Sequence, residues 1–227
     1  MKKIALITGS TRGIGRQIGE DLWELDYDVY LNGRFPISDE KILGLKYIAA
    51  DLSDINAIDK LNKQIGALDV LVLNVGITDR TSFGEIKIKE WNAVINTNLT
   101  NQFFLVQKLK DKIRPNGRII FISSISGIIP DSTSISYGVS KAAINMLVLY
   151  LAKEFAPKHI TVNAIAPGYI MTDWHQKKSK AQLKRIAKKC LANRLGTPEE
   201  VSKAVLAVID NPFINGQVLR IDGGFGL

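Results

Sequence analysis

The chain has 227 residues, 46% of them hydrophobic and 23% charged, which suits one packed core and excludes a disordered or membrane-embedded polypeptide. A single cysteine, Cys190, excludes an internal disulfide and a Cys-rich zinc site, and His159 and His175 lack metal-ligand spacing, so no metal is expected. The net charge of +8 comes without a helix-turn-helix or zinc-finger pattern, which argues for a generally basic enzyme rather than a nucleic-acid partner.

Met1-Lys2-Lys3 leads only into the short apolar run Ile4 to Ile7, and no apolar run reaches the ~18 residues of a spanning helix. A cytoplasmic protein with no membrane contact is the expectation. Lys3 to Thr8 reads as a first strand. Gly9-Ser10-Thr11-Arg12-Gly13-Ile14-Gly15 follows at once and opens a helix with Ile14, Ile18, Leu22 and Leu25 on one face. Strand, glycine loop and helix in that order form a phosphate cradle. Glycines let the backbone approach closely, and the helix N-terminus offers free N–H groups.

A second strand, Asp28 to Asn32, ends in Gly33-Arg34. Dinucleotide folds place an acidic residue about 20 residues past the glycine loop for a ribose 2′-hydroxyl, or an arginine nearby for a 2′-phosphate. The acid is absent, while Arg34 and Arg12 supply cations, so NADP(H) is preferred over NAD(H), with NAD(H) left open. Pro36 to Leu45 is short for the second helix of such a fold. Tyr47 to Ala50 reads as a strand ending in Asp51-Leu52, with Ser53 as cap of a helix from Asp54 to Ile65. Val70 to Leu73 ends in Asn74-Val75-Gly76, and Trp91 to Leu109 is helical.

Ile119 to Ile122 reads as a buried strand that closes on Ser124, and Tyr137 to Phe155 as a helix on which Tyr137 and Lys141, four residues apart, share a face. A hydroxyl, a phenol and an ammonium therefore converge. A phenol titrates near ~10, and a fixed Lys⁺ favours the phenolate and lowers that value, which makes Tyr137 a general acid/base. Ser124 would hold a carbonyl oxygen. Alone, a Tyr-x-x-x-Lys spacing has roughly even odds of arising by chance; its setting adds the weight. Ile160 to Ile165 is a strand ending in Ala166-Pro167-Gly168, Thr197-Pro198 starts a capped helix, and Gln217 to Ile221 is the last strand. Strands ending in polar or glycine residues, each followed by a helix, predict an α/β chain: one doubly wound parallel sheet with helices on both faces over 1–227.

In this order the motifs resemble those of the short-chain dehydrogenase/reductases, single-domain type, and most closely the 3-oxoacyl-carrier-protein reductases. TGSTRGIG (Thr8 to Gly15) is similar to that family's cofactor loop, Asp51-Leu52 to its adenine contact, LNVG (Leu73 to Gly76) to its Asn-Ala-Gly segment with Val75 in place of alanine, and NAIAPGYIMTD (Asn163 to Asp173) to the segment flanking the nicotinamide. Asn98, Ser124, Tyr137 and Lys141 match the four catalytic positions. The resemblance implies that Tyr137 exchanges the proton, Ser124 orients the substrate oxygen, Lys141 holds the nicotinamide ribose and lowers the pKa of Tyr137, and Asn98 positions a water in a proton relay. It adds Pro167, Gly168, Ile170 and Thr172 to the cofactor contacts.

These matches lead to an NADP(H)-dependent oxidoreductase that interconverts a carbonyl and a secondary alcohol, with a 3-oxoacyl thioester as one candidate substrate and a sugar or other small ketone as the alternative. A non-catalytic NADP(H)-sensing protein would be expected to lack the Tyr/Lys pair, and a hydrolase built on Ser124 lacks a placed histidine. Pocket residues for substrate fall in Ile125 to Ser136 and after Thr172. His175 to Lys189 is basic without an acid, which suits either an anionic or carrier-linked substrate or simply a solvated helix. Lys158 and Arg114 stand near positions where carrier-protein reductases contact their acidic partner. The helices around Ala142 to Ala152 and Trp91 to Leu109 carry more apolar surface than one sheet can cover, so a homo-tetramer or homo-dimer is expected.

Overall fold

The computed structural model describes residues 2–37, 44–130, 134–175 and 178–227. Among these residues seven strands, β1 (Ile4–Ile7), β2 (Asp28–Gly33), β3 (Lys46–Ala49), β4 (Leu68–Leu73), β5 (Ile113–Ile122), β6 (Thr161–Pro167) and β7 (Val218–Ile221), form one sheet in the order β3-β2-β1-β4-β5-β6-β7. Every pairing is parallel. The strand order reverses between β1 and β4. In open α/β sheets the crevice at such a switch, beyond the carboxyl ends of the strands, is where ligands bind.

The helices are α1 (Gly13–Glu24), α2 (Ala57–Gln64), α3 (Ile88–Ile95), α4 (Asn101–Leu109), α5 (Ile135–Phe155), α6 (Lys180–Ala187) and α7 (Pro198–Asp210). Alternation of the strand residues between the two faces divides the core in two. Leu6, Leu71, Ile119, Phe121 and Val162 pack with α2, α4 and α5, whereas Ala5, Ile7, Val72, Ile120 and Ile165 pack with α1 and α7. The expected α/β architecture is therefore the one the chain adopts.

Several boundaries differ from those the sequence predicts, for identifiable reasons. The helix expected from Asp54 with Ser53 as cap begins at Ala57, because Asp51 and Asp54 hold Ser53 and Asn56 in side-chain turns instead. The helix expected from Trp91 starts at Ile88 and is interrupted by a π-helical turn, Asn96–Thr100, that separates α3 from α4. On α1 the buried face is Gly15, Ile18, Gly19 and Leu22, while Leu25 is exposed at the helix end. A Cβ on Gly19 would meet Leu31 of β2, so glycine there lets the helix lie close on the sheet. Residues 38–43, within the Pro36 to Leu45 stretch, lie outside the described residues.

By length and composition α5 is apolar enough to cross a bilayer. Here its composition has another cause. Ile144, Val148, Leu151 and Phe155 are buried against the sheet, each contributing about 1.5–3 kcal/mol, and Lys141 sits in the interior. The outer side of the same helix leaves Met146, Leu149 and Tyr150 exposed, as Phe104 is on α4.

Candidate active site

A cavity of about 650 Å³ lies along the carboxyl ends of the strands. Its walls include Gly9, Thr11, Arg12, Gly13 and Ile14 of the glycine loop, Gly33 and Arg34 after β2, Asp51 and Leu52 after β3, and Asn74, Val75 and Gly76 after β4. Ser124, Tyr137, Lys141, Pro167, Gly168, Ile170 and Thr172 complete it. Ser10, Gly15 and Asn98 are buried behind the wall.

The glycine loop is held by side chains at its back. Ser10 Oγ donates to the Ile7 carbonyl (2.7 Å) and accepts from the Asn32 N–H (2.9 Å), which ties β1 to β2 rather than facing a ligand. Asn74 Nδ2 donates to the Gly9 carbonyl at 2.8 Å, and a Cβ on Gly15 would collide with that amide. Gly9 and Gly13 both have φ of +59°, where only glycine is unstrained, and Val75 packs 3.1 Å from where a Gly9 Cβ would stand. Asn32, which sequence pattern marks only as a strand residue, accepts from the Gly9 N–H and donates to the carbonyls of Ile48 and Ala50. Its one outward signal is a polar residue in an apolar strand.

These walls fit a dinucleotide with a 2′-phosphate. The first turn of α1 has no side-chain cap and no acid, so its N–H groups are open to a pyrophosphate. At Gly33 a Cβ would strike the Thr11 methyl and the Tyr47 hydroxyl, which leaves no room for the acid that binds a ribose 2′-hydroxyl. Arg34 stands next to it over the Phe35 ring, on a loop braced by a hydrogen bond from Tyr47 Oη to the Phe35 carbonyl (2.6 Å). Arg12 forms an ion pair with Asp173 at 3.7 Å, joining the glycine loop to the segment after Thr172 across the cleft.

At the other end of the cavity, α5 and the end of β5 meet. Tyr137 and Lys141 project from successive turns of α5, and the Tyr137 hydroxyl stands within reach of Ser124. Ser124 is extended (φ −165°) and caps the short turn that follows, its Oγ accepting from the Ser126 N–H at 3.1 Å. Lys141 is buried, donates to the Ile122 carbonyl at 2.7 Å, and has its Nζ 5.6 Å from the centroid of the Tyr137 ring. Burial lowers its pKa to about 8.

The expected depression of the Tyr137 pKa by Lys141 is not what this arrangement gives. Burial pushes the phenol up, and the Ser124 hydroxyl within its reach works in the opposite direction. The ammonium is directed at a carbonyl rather than at the phenol. The phenol is thus held in its protonated form, the form that donates.

Asn98, fully buried in the π-helical turn, has its side chain engaged on all sides. Nδ2 donates to the Ile77 carbonyl (2.9 Å) and to Ser140 Oγ (3.0 Å), and Oδ1 accepts from the Ile77 N–H (2.8 Å). Ser140 in turn donates to the Tyr137 carbonyl at 2.7 Å. The side chain therefore fixes the loop after β4 against the turn that carries Tyr137, and its neighbour Thr97 reaches the cavity wall.

Trp174, Arg80 and Lys178 also line the cavity, and no motif in the sequence marks them individually as pocket residues. The Trp174 ring lies 6.1 Å from that of Tyr137, tilted by 44°. Of the basic stretch, Lys178 reaches the cavity, Lys180, Lys184, Arg185 and Lys188 are exposed on or just after α6, and residues 176–177 lie outside the described residues. Arg114 pairs with Asp69 (2.8 Å) and Lys158 with Asp111 (3.3 Å), both near the amino ends of strands, away from the cavity.

The family model described as enoyl-(acyl carrier protein) reductase matches residues 9–226. The chain is 36% identical to the 3-oxoacyl-[acyl-carrier-protein] reductase of Escherichia coli, over 98% of this chain and 96% of the relative. It is likewise 36% identical to the acetoacetyl-CoA reductase of Rhizobium meliloti, over 99% and 98%. Its structure resembles that of RhlG from Pseudomonas aeruginosa in an active-site complex with NADP, with a TM-score of 0.91, 30% identity and coverage of 99% and 96%. The chain belongs to the short-chain dehydrogenase/reductase family of oxidoreductases.

Proposed function

We propose that this protein is an NADP(H)-dependent reductase that interconverts a carbonyl and a secondary alcohol in one catalytic domain spanning 1–227. The observation that carries the reading is the meeting of Tyr137 and Ser124 at one cavity wall, with Lys141 buried beside them. Arg12 and Arg34 would hold the 2′-phosphate, the glycine loop and α1 the pyrophosphate, Asp51 and Leu52 the adenine, and Lys141 the nicotinamide ribose. When bound, the nicotinamide supplies a hydride to the carbonyl carbon or takes one from the alcohol. Ser124 orients the substrate oxygen, and Tyr137 gives its proton to that oxygen as negative charge develops there. Asn98 serves by holding Ile77 and, through Ser140, the Tyr137 turn.

The substrate we favour is a 3-oxoacyl thioester, free or carrier-linked, on the strength of the relatives whose names specify the reduction of such compounds. NADPH oxidation followed by absorbance against β-ketoacyl thioesters, keto-sugars and simple ketones tests this. Turnover of the thioesters at the highest kcat/KM is expected; a keto-sugar or simple ketone in first place names the substrate class instead, and no oxidation with any of them overturns the activity. We place the protein in the cytoplasm.

Cofactor choice gives a second expected result. Arg34→Asp replaces a phosphate-binding cation with a carboxylate and should lower kcat/KM for NADPH about 10- to 100-fold while NADH is favoured relative to it. A wild type that already prefers NADH sinks the assignment of Gly33-Arg34. The exposed Phe104, Met146, Leu149 and Tyr150 on α4 and α5 support a homo-dimer or homo-tetramer formed through these helices. Light scattering at micromolar concentration is expected to give more than one chain per particle, and a monomer would refute it.

A further inference from the structure

We propose that Asn145 is a positioning residue for this reaction, holding the segment Ser123 to Gly127 on α5 so that Ser124 stays in register with Tyr137. The proposal rests on the reading of Tyr137 and Ser124 given above. Tyr137, Lys141 and Asn145 stand at i, i+4 and i+8 on α5 and so form one stripe down its inner side. The first two members reach the cavity. The third reaches the loop that carries Ser124, and it grips that loop on both sides of the serine.

On one side Ser123 Oγ donates to Asn145 Oδ1 at 2.6 Å; on the other Asn145 Nδ2 donates to the Gly127 carbonyl at 3.2 Å. Between these two anchors Ser124 closes its own turn, its carbonyl accepting from the Gly127 N–H at 3.0 Å. The loop sits as near α5 as packing permits. A Cβ on Gly127 would lie 2.6 Å from the Lys141 carbonyl carbon, so the carbonyl that Asn145 holds belongs to a residue that only glycine lets come this close. The donor and acceptor of one amide are both used, which neither aspartate nor leucine at this position reproduces. Around it the helix reads Ala142, Ala143, Ile144, Met146, Leu147 and Val148, so Asn145 is the one side chain in that run able to make such bonds.

The consequence for catalysis follows from alignment. Tyr137 and Ser124 come from different elements, and a displacement of about 1 Å between acid and substrate-orienting group costs on the order of 100-fold in rate. Lys141 and Tyr137 are fixed by the helix itself. Ser124 stands on the strand side, where the Ser123 N–H donates to the Ile165 carbonyl at 2.7 Å, and Asn145 ties the loop that carries it to the helix.

The test is a double-mutant cycle in the full chain, with NADPH binding measured by fluorescence alongside. Asn145→Leu should lower kcat about 10- to 100-fold with NADPH affinity unchanged, and Ser124→Ala combined with it should be no slower than Ser124→Ala alone, because the lost effect passes through Ser124. Independent losses that multiply, or an unchanged kcat, would overturn the proposal. Ser123→Ala, which removes the hydroxyl bonded to Asn145 Oδ1 at 2.6 Å and, more weakly, to the Lys141 carbonyl at 3.3 Å, carries the same expectation at smaller size should Asn145→Leu misfold. Hydrogen exchange of the peptide covering Ser123 to Ile128 needs no turnover and separates this proposal from the assignment of the activity. Faster exchange there in Asn145→Leu is required, and unchanged exchange overturns the proposal whatever the wild type reduces.

Discussion

Tyr137→Phe should lower kcat for carbonyl reduction by about 10²- to 10⁴-fold and leave NADPH binding close to that of the wild type. The phenyl ring keeps the packing against Trp174 and the place of the side chain on α5, and only the hydroxyl that faces Ser124 is lost. What disappears is the proton that neutralises the developing alkoxide. The pH dependence of the wild type carries the same assignment. Burial raises the phenol above its ordinary value, so Tyr137 remains a donor throughout the neutral range, and reduction should not be limited by loss of its proton until well into alkaline solution. Alcohol oxidation requires the phenolate and should therefore rise with pH over that range. Substantial kcat in Tyr137→Phe, measured as NADPH oxidation with whichever carbonyl compound the wild type turns over, would remove Tyr137 from the proton transfer.

Much of this site is legible in the amino-acid sequence, and the reason is physical. A doubly wound sheet brings every strand's carboxyl end to one edge, so residues that follow strands must share a cleft however far apart they lie in the chain. Gly9, Gly33, Asp51, Asn74, Ser124 and Pro167 each follow or close a strand, and all line one cavity. Sequence pattern does not separate the side chains that face the ligand from those that hold the wall. Ser10, Asn32, Asn74 and Asn98 spend their polar groups on backbone partners from other strands or loops, at sequence separations that no local pattern encodes. The π-helical turn at Asn96–Thr100 is hidden for a similar reason, since its periodicity differs from that of an α-helix by a single residue. The start of α6 is obscured too, because a run of cations surrounds the capping box of Ser179 and Gln182 that opens it. From spacing alone the charge of Lys141 acts as a lever on Tyr137; burial, which a sequence does not show, reverses the direction.

That burial sets up the second large effect. Lys141→Met is expected to abolish most activity, through lost ribose binding and the lost cation at the Tyr137 end of the cavity, and at the same time to raise stability at neutral pH. The two changes have one cause. An ammonium whose pKa falls to about 8 in the folded chain, against 10.5 unfolded, is disfavoured by folding by about 3 kcal/mol when both states are protonated. The sign follows from proton counts. Between pH 8 and 10.5 the unfolded chain holds this proton and the folded chain releases it, so stability rises with pH across that window, and below it the full penalty applies. Methionine has similar length and no charge, and its cost is the Ile122 carbonyl left without the donor it had at 2.7 Å, about 1–3 kcal/mol. The variant should therefore gain about 1 kcal/mol at pH 7, a rise of about 2–4 °C in Tm, and that advantage should disappear as pH approaches 10. Urea unfolding of both proteins at pH 7 and pH 9.5 measures it directly. A variant no more stable at pH 7, or one whose advantage grows with pH, would mean that Lys141 is not a buried charge held against its solvation for the sake of the reaction.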